Sequence, residues 1–459
     1  MKKAVIVHII AFLFFPVTFS QEQIVRLTAG EKTEAIEKVG SLLQRFYVFP
    51  EVATQMVDHL DITLNAGVFD TIVHPQVFAD VLTRELRSVC HDKHLAVFLG
   101  VNPDLQPAVD DDIRRINARL NREARNYGIR KLEILPGNIG YMDIQSVMYS
   151  REAMEVLDAS MKFLENTDAI LFDLRTNRGG DPGYMAYLFS YFFEEPTHIN
   201  SIYWRDRDRT DEFWTLKSVP GKKSTEVPIY VLIGPDTFSG AEEFAYDLQS
   251  LKRAMIVGEV SAGGANPASS WVVYRDLRIS IPYGRAISPV TGTNWEGVGV
   301  IPDIATTADS AFSVAHRKAS KEAAAYAEAK KSRLISASKD CSGKLEAAME
   351  LIQKGHVDDA EALVYTALDE AMGEGLYNED QINSLGYEYL RREETLMAIA
   401  LLRFNTLRFP MSANAFDSLG EAYLENGNKE HAIINYKKSL ELDPGNNNAS
   451  EMLKTLKRF

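Results

Sequence analysis

The chain has 459 residues, 46% of them hydrophobic and 25% charged, with a formal net charge of −14. That length exceeds one ordinary domain and predicts two or three. An acidic balance with no basic stripe argues against nucleic acid and anionic membrane as partners, and two distant cysteines, Cys90 and Cys341, support neither a cysteine zinc site nor a disulfide framework.

In chain order, residues 1–20 read as a signal peptide: Lys2-Lys3, an apolar run from Ala4 to Phe19, then Ser20-Gln21. The run is short for a span, which takes about 20 apolar residues, although an uncleaved anchor is the competing reading. The expected product is exported, periplasmic or extracellular, with no integral membrane span after leader removal. Residues 21–130 are expected to be a helical N-terminal domain, because Ile36, Val39, Leu43 and Phe46, and again Val77, Leu82, Leu86 and Val89, recur at helical spacing. From Lys131 short apolar runs alternate with helical stretches: Ile139–Ile144, Ala169–Arg175, Ile229–Ile233 and Ala254–Gly258 as strands, with helices between. This predicts an α/β core over 131–308. Residues 309–340, rich in Ala, Lys and Glu, are expected to form a helical linker.

Residues 341–459 carry a repeat. Leu385-Gly386 and Leu419-Gly420 are 34 positions apart, as are Tyr389 and Tyr423, Ala398 and Ala432, and Pro410 and Pro444. The period and its residues resemble the tetratricopeptide repeat, with Leu345–Leu368 as a degenerate third copy. Such helix pairs stack because none buries its apolar face alone. This implies an all-α C-terminal domain that takes a protein partner or serves only as structure.

No His-x-x-x-His, His-Glu-x-x-His or phosphate-binding glycine loop occurs, so neither a metal nor an organic cofactor is expected. The stretch with most chemistry is Asp236-Thr237-Phe238-Ser239-Gly240-Ala241-Glu242, between a strand and a helix. A serine there can be exposed as a nucleophile beside free helical N–H groups. Ser239-x-x-Glu242 equally fits a capping box in which the serine only caps the helix. A second turn, Arg178-Gly179-Gly180, follows the strand ending at Asp173. Its N–H groups could complete an oxyanion site with that of Gly240, or it is a plain turn.

Four ordered motifs favour the nucleophile: Asp173-Leu174-Arg175…Gly179-Gly180, Thr237-Phe238-Ser239-Gly240-Ala241-Glu242, Gly258-Glu259, and Asn294-Trp295-Glu296-Gly297-Val298-Gly299-Val300-Ile301-Pro302-Asp303. Together they resemble the core of the tail-specific, C-terminal-processing serine peptidases, in the branch related to interphotoreceptor retinoid-binding protein and tricorn protease. The resemblance spans about 131–306 and looks looser over the helical N-terminal region. It implies a ClpP/crotonase-like sheet with helices and a peptide or unfolded protein as substrate. It also implies Ser239 as nucleophile, with Gly240 and Gly180 (or Gly179) as oxyanion donors. The tail-specific branch places a lysine 25 positions after its serine; that position is Gly264. The tricorn-like branch uses a histidine and a glutamate, which His94 and Glu296 resemble, with His91 a local competitor for the first. Lys93 stands where that branch has a serine. No segment of 131–306 reads as a PDZ domain, so C-terminal selectivity is not implied. Two other readings of the same fold stand beside the peptidase: a carrier of apolar ligands, and an interaction scaffold whose working part is the repeats.

Overall fold

The computed structural model describes residues 26–100 and 108–456; the expected leader lies outside the described residues. The chain divides into two compact units, residues 1–324 and 325–459.

The first unit begins with helices α1 (Ala29–Phe46), α2 (Pro50–Asn65) and α3 (Pro75–Cys90). Thr28 and Glu31 close a capping box on α1, and Pro50 and Pro75 open α2 and α3, where no N–H partner is needed. Of the residues read at helical spacing, Ile36, Val39, Leu43, Leu82 and Leu86 join one buried cluster with Phe46 and Val89 packed against it, whereas Val77 is exposed. After α3 come β1 (Ala96–Leu99) and α4 (Ala108–Ala124), then β2 (Ile129–Leu135), β3 (Ile139–Ile144), α5 (Arg151–Leu164), β4 (Ala169–Asp173) and α6 (Pro182–Phe189). The chain continues through β5 (His198–Trp204), β6 (Arg209–Trp214), β7 (Ile229–Ile233), α7 (Gly240–Ser250), β8 (Met255–Gly258), β9 (Ala268–Tyr274), β10 (Leu277–Pro282), β11 (Gly284–Ile287) and β12 (Ile304–Ala305).

Six strands form the central sheet in the order β12-β8-β7-β4-β3-β2, parallel except for the β2–β3 pair. Every residue of β4 and β7 is buried, as expected of parallel strands covered on both faces. Ala311, Ala315, Ala319 and Ala323, from the start of α8 (Ala308–Gln353), pack on one face. On the other, Phe244 stacks on Phe189 and meets Phe172 edge-on. Because β4 and β7 are parallel neighbours, the turns after them emerge side by side at the carboxyl edge, where open α/β sheets bind ligands. Phe238 N donates to Asn177 O and Thr237 Oγ1 to Leu174 O, tying the two turns together.

Two small antiparallel sheets, β1-β10-β9 and β11-β5-β6, flank this edge. The four residues of β1 lie within a region whose periodicity reads as helix; its pairing with β10, some 180 positions on, supplies the strand. That pairing fixes the turn just before it, residues 91–95, against the core.

The second unit contains the rest of α8 and helices α9 (Val357–Gly373), α10 (Glu379–Arg391), α11 (Thr395–Arg408), α12 (Ala413–Glu425), α13 (Lys429–Leu442) and α14 (Asn447–Leu456). The recurrent glycines have a packing reason. A Cβ on Gly386 would lie 2.7 Å from Leu402, and one on Gly420 would lie 3.0 Å from the Tyr436 ring. Each glycine lets the second helix of its pair approach closely, which offsets the roughly 0.5–1 kcal/mol that glycine costs within a helix. Among the described residues no helix is long and apolar enough to cross a membrane.

Candidate active site

Ser239 heads α7 directly after the β7 turn, with φ 57° and ψ −126°. A positive φ is unfavourable for a side-chain-bearing residue, at a cost on the order of 1–3 kcal/mol. The strain is held by Glu242, which is fully buried. Ser239 N donates to Glu242 Oε2 at 2.8 Å and Gly264 N to the same oxygen at 2.8 Å. Ser261 Oγ donates to Oε1 at 2.6 Å, and Gly263 N donates there too. The glutamate of the capping motif therefore pins both the serine and the 261–264 turn. Glu242 N and Glu243 N donate to the Ser239 carbonyl. Ser239 Oγ lies 3.1 Å from His94 Nε2.

His94 reaches this point because α3 stops at His91, a left-handed residue (φ 57°), and the chain turns before β1. His91 itself spends its backbone on that helix end. Three contacts clamp the turn: Asp92 Oδ1 accepts from His94 N at 3.0 Å, Arg87 Nη2 donates to Lys93 O at 2.6 Å, and Lys93 Nζ donates to Ala262 O. Asn266 Nδ2 donates to Asp92 Oδ2 at 3.0 Å, joining this turn to the core. The imidazole sits against the Phe238 ring, centroids 4.4 Å apart. A Cβ on Gly264 would lie 2.1 Å from that ring and 2.9 Å from His94 Cε1. Position 264 thus has no room for a side chain, lysine included, because the imidazole and Phe238 occupy the space.

Glu296 lies in a turn between β11 and β12. Its Oε2 accepts from Ala265 N at 2.6 Å and Asn266 N at 3.1 Å. Its Oε1 and His94 Nδ1 are both buried without a hydrogen-bond partner among the described residues. Asp92, His94 and Glu296 each bring an atom within 4.8 Å of the other two, the one such His–carboxylate grouping among the described residues that could hold a cation. Burial, with Asp92 beside it, pushes the Glu296 carboxyl up to about 7. Burial, with Arg87 nearby, pulls His94 down to about 4. The resting imidazole is therefore neutral and able to accept a proton.

Gly180 and Gly240 face each other across the paired turns: a Cβ on Gly240 would lie 3.1 Å from Gly180 N. Gly179 N donates to Asn177 Oδ1 at 2.7 Å, whereas Gly180 N and Gly240 N have no partner among the described residues. A Cβ on Gly180 (φ 151°) would strike Val147 O at 1.7 Å, so only glycine fits. Ser239, His94, Gly180 and Gly240 open onto one cleft of about 450 Å³ that also includes Asp181, Asn200, Glu243 and Trp295. Asp92, Asn266 and the second task of Glu242 escape sequence reading. Their partners are distant in the chain, and a capping motif explains Glu242 without them.

Residues 138–306 match the model of peptidase family S41, residues 21–128 match the N-terminal domain of that family in eukaryotic IRBP, and residues 413–446 match a tetratricopeptide repeat. A carboxy-terminal-processing protease of Bartonella bacilliformis is 26% identical over 174 residues, 37% of this chain and 38% of that protein. The chain thus spans about two fifths of the length of this curated relative. Among solved structures, a lipoprotein from Streptococcus agalactiae aligns over 63% of this chain and 96% of its own, at 14% identity and TM-score 0.42. The photosystem II D1 C-terminal processing protease aligns over 62% and 94%, at 13% identity and TM-score 0.38.

Proposed function

From a chain that carries a peptidase family S41 core, that family's N-terminal domain and a tetratricopeptide repeat, we propose a serine peptidase that works by a Ser239–His94–Glu296 mechanism. The observation that carries it is the 3.1 Å approach of Ser239 Oγ to His94 Nε2 across 145 residues of sequence. Ser239 Oγ attacks the peptide carbonyl carbon as its proton passes to His94 Nε2. The N–H groups of Gly180 and Gly240 receive the developing oxyanion. His94 then returns the proton to the leaving amine, and water, deprotonated by the same imidazole, releases the acyl group. Glu296 stabilises the imidazolium formed in each half. Its partnerless Oε1 and that of His94 Nδ1 support this pairing, since active-site hydrogen bonds often tighten only with substrate bound.

An apolar-ligand carrier on the same fold calls for an apolar cleft, whereas this one carries Asp181, Asn200 and Glu243. Export to the periplasm or beyond is part of the same proposal, supported by the leader-like composition of the first 20 residues, as is a protein partner at the repeats, supported by the tetratricopeptide match. The test compares wild type with Ser239→Ala against an unfolded protein substrate and a serine-reactive fluorophosphonate. Cleavage and labelling are expected only in wild type; cleavage that persists in the variant overturns the assignment.

A further inference from the structure

Glu243 lies in the first turn of α7, four residues after Ser239, and both line the same cleft. It lines the cleft, yet it is only 5% exposed. Its Oε1 accepts from Asn200 Nδ2 at 2.9 Å, and its other oxygen has no hydrogen-bond partner among the described residues. One further turn on, Asp247 is 1% exposed and neither of its carboxylate oxygens has a partner among the described residues. Burial, with the nearby Asp181 adding to it against the Asn200 bond, lifts the Glu243 carboxyl to about 7; burial and then Glu243 raise Asp247. Among the described residues no lysine or arginine lines the cleft.

The neighbour on the same helix shows what a structural carboxylate looks like here: Glu242 has four donors. Two buried carboxyl groups sharing one donor are costly for the free protein. A cation delivered by the ligand would repay that cost. The cleft lining also includes Pro182, Ile202 and Tyr283, suited to an alkyl chain that ends in a charge.

We propose that Glu243, held by Asn200 and backed by Asp247, is the base of a subsite for a lysine or arginine side chain next to the scissile bond. This rests on the peptidase reading of the same cleft. A substrate's terminal carboxylate would find no cation there, and the two free N–H groups, Gly180 and Gly240, are those that face the reacting carbonyl.

The experiment uses full-length wild type and Glu243→Gln. Matched fluorogenic peptides differ only in the residue before the scissile bond (Lys, Arg, Leu or Glu). Fluorophosphonate labelling reports the serine independently, and p-aminobenzamidine fluorescence reports cation binding without turnover. Wild type is expected to favour Lys or Arg over Leu at least tenfold in kcat/KM, and to bind p-aminobenzamidine competitively. In Glu243→Gln the Lys-to-Leu ratio should fall at least tenfold; the wild-type preference and binding stand as a test even if that variant folds poorly. Labelled enzyme that prefers Leu, or does not discriminate, overturns the subsite and leaves the peptidase intact. Cleavage confined to bonds beside a free α-amino group overturns the side-chain assignment. With neither labelling nor cleavage the peptidase reading fails; p-aminobenzamidine binding that Glu243→Gln abolishes would then still support the cation site, and no binding would overturn it.

Discussion

The two arms of the candidate site are built differently. On the serine arm, Glu242 gathers four donors and every link from Ser239 to Gly264 is closed. On the histidine arm, the backbone of the 91–95 turn is clamped just as firmly, but His94 Nδ1 and Glu296 Oε1 lack partners. One arm is finished before substrate arrives, while the other keeps one contact in reserve. Damage to the first should therefore appear as lost stability together with lost activity, and damage to the second as lost activity alone.

The largest expected effect falls on the serine arm. Glu242→Ala strands four donors in the interior and should cost about 3–5 kcal/mol in urea unfolding, with loss of fluorophosphonate labelling. A change below about 1 kcal/mol would show that the network is not what holds the strained serine. Next is Gly180→Ala, whose Cβ must push against Val147 O and shift the oxyanion donor. Turnover should drop roughly 10²–10³-fold, and an unchanged kcat would remove Gly180 from the site. On the histidine arm, Glu296→Gln should lower kcat by about 10–10²-fold with the unfolding midpoint nearly unmoved, since the loss is confined to the charged imidazole; a stability loss as large as that of Glu242→Ala would erase the contrast between the arms.

The smallest effect is a pH dependence. The working form needs neutral His94 and ionised Glu296. With Glu296 raised to about 7 and His94 lowered to about 4, acidification protonates Glu296 first. Activity should rise about tenfold from pH 6 to pH 8, as a property of the interacting Asp92–Glu296 pair rather than of one group. In Glu296→Gln that rise should flatten, and a profile identical to wild type would separate Glu296 from the base.

Much of this was open to sequence reading where function and local structure share a motif. Ser239 and Gly180 lie in glycine-bearing strand–helix turns that fit a helix cap or a plain turn equally well, and it is the ordered family motifs that single out Ser239, His94 and Glu296. Gly264, in place of lysine, already turned attention to His94, and the structure gives the steric reason. What could not be read depends on contacts distant in sequence. Asp92 meets Asn266 across 174 positions. The β5–β6 hairpin is obscured by its Arg205-Asp206-Arg207-Asp208 turn, and it carries Asn200 to Glu243. Glu243 and Asp247 look like the polar face of an amphipathic helix until burial shows them facing inward. The 34-residue period, by contrast, was legible as fold because each glycine answers a contact within its own repeat.

The central claim is that His94 activates Ser239. The direct measurement is the second-order rate of fluorophosphonate labelling in wild type and in His94→Ala, with unfolding curves recorded on both. The account predicts a fall of at least about 10³-fold at unchanged stability. Equal rates in two equally folded proteins would contradict it.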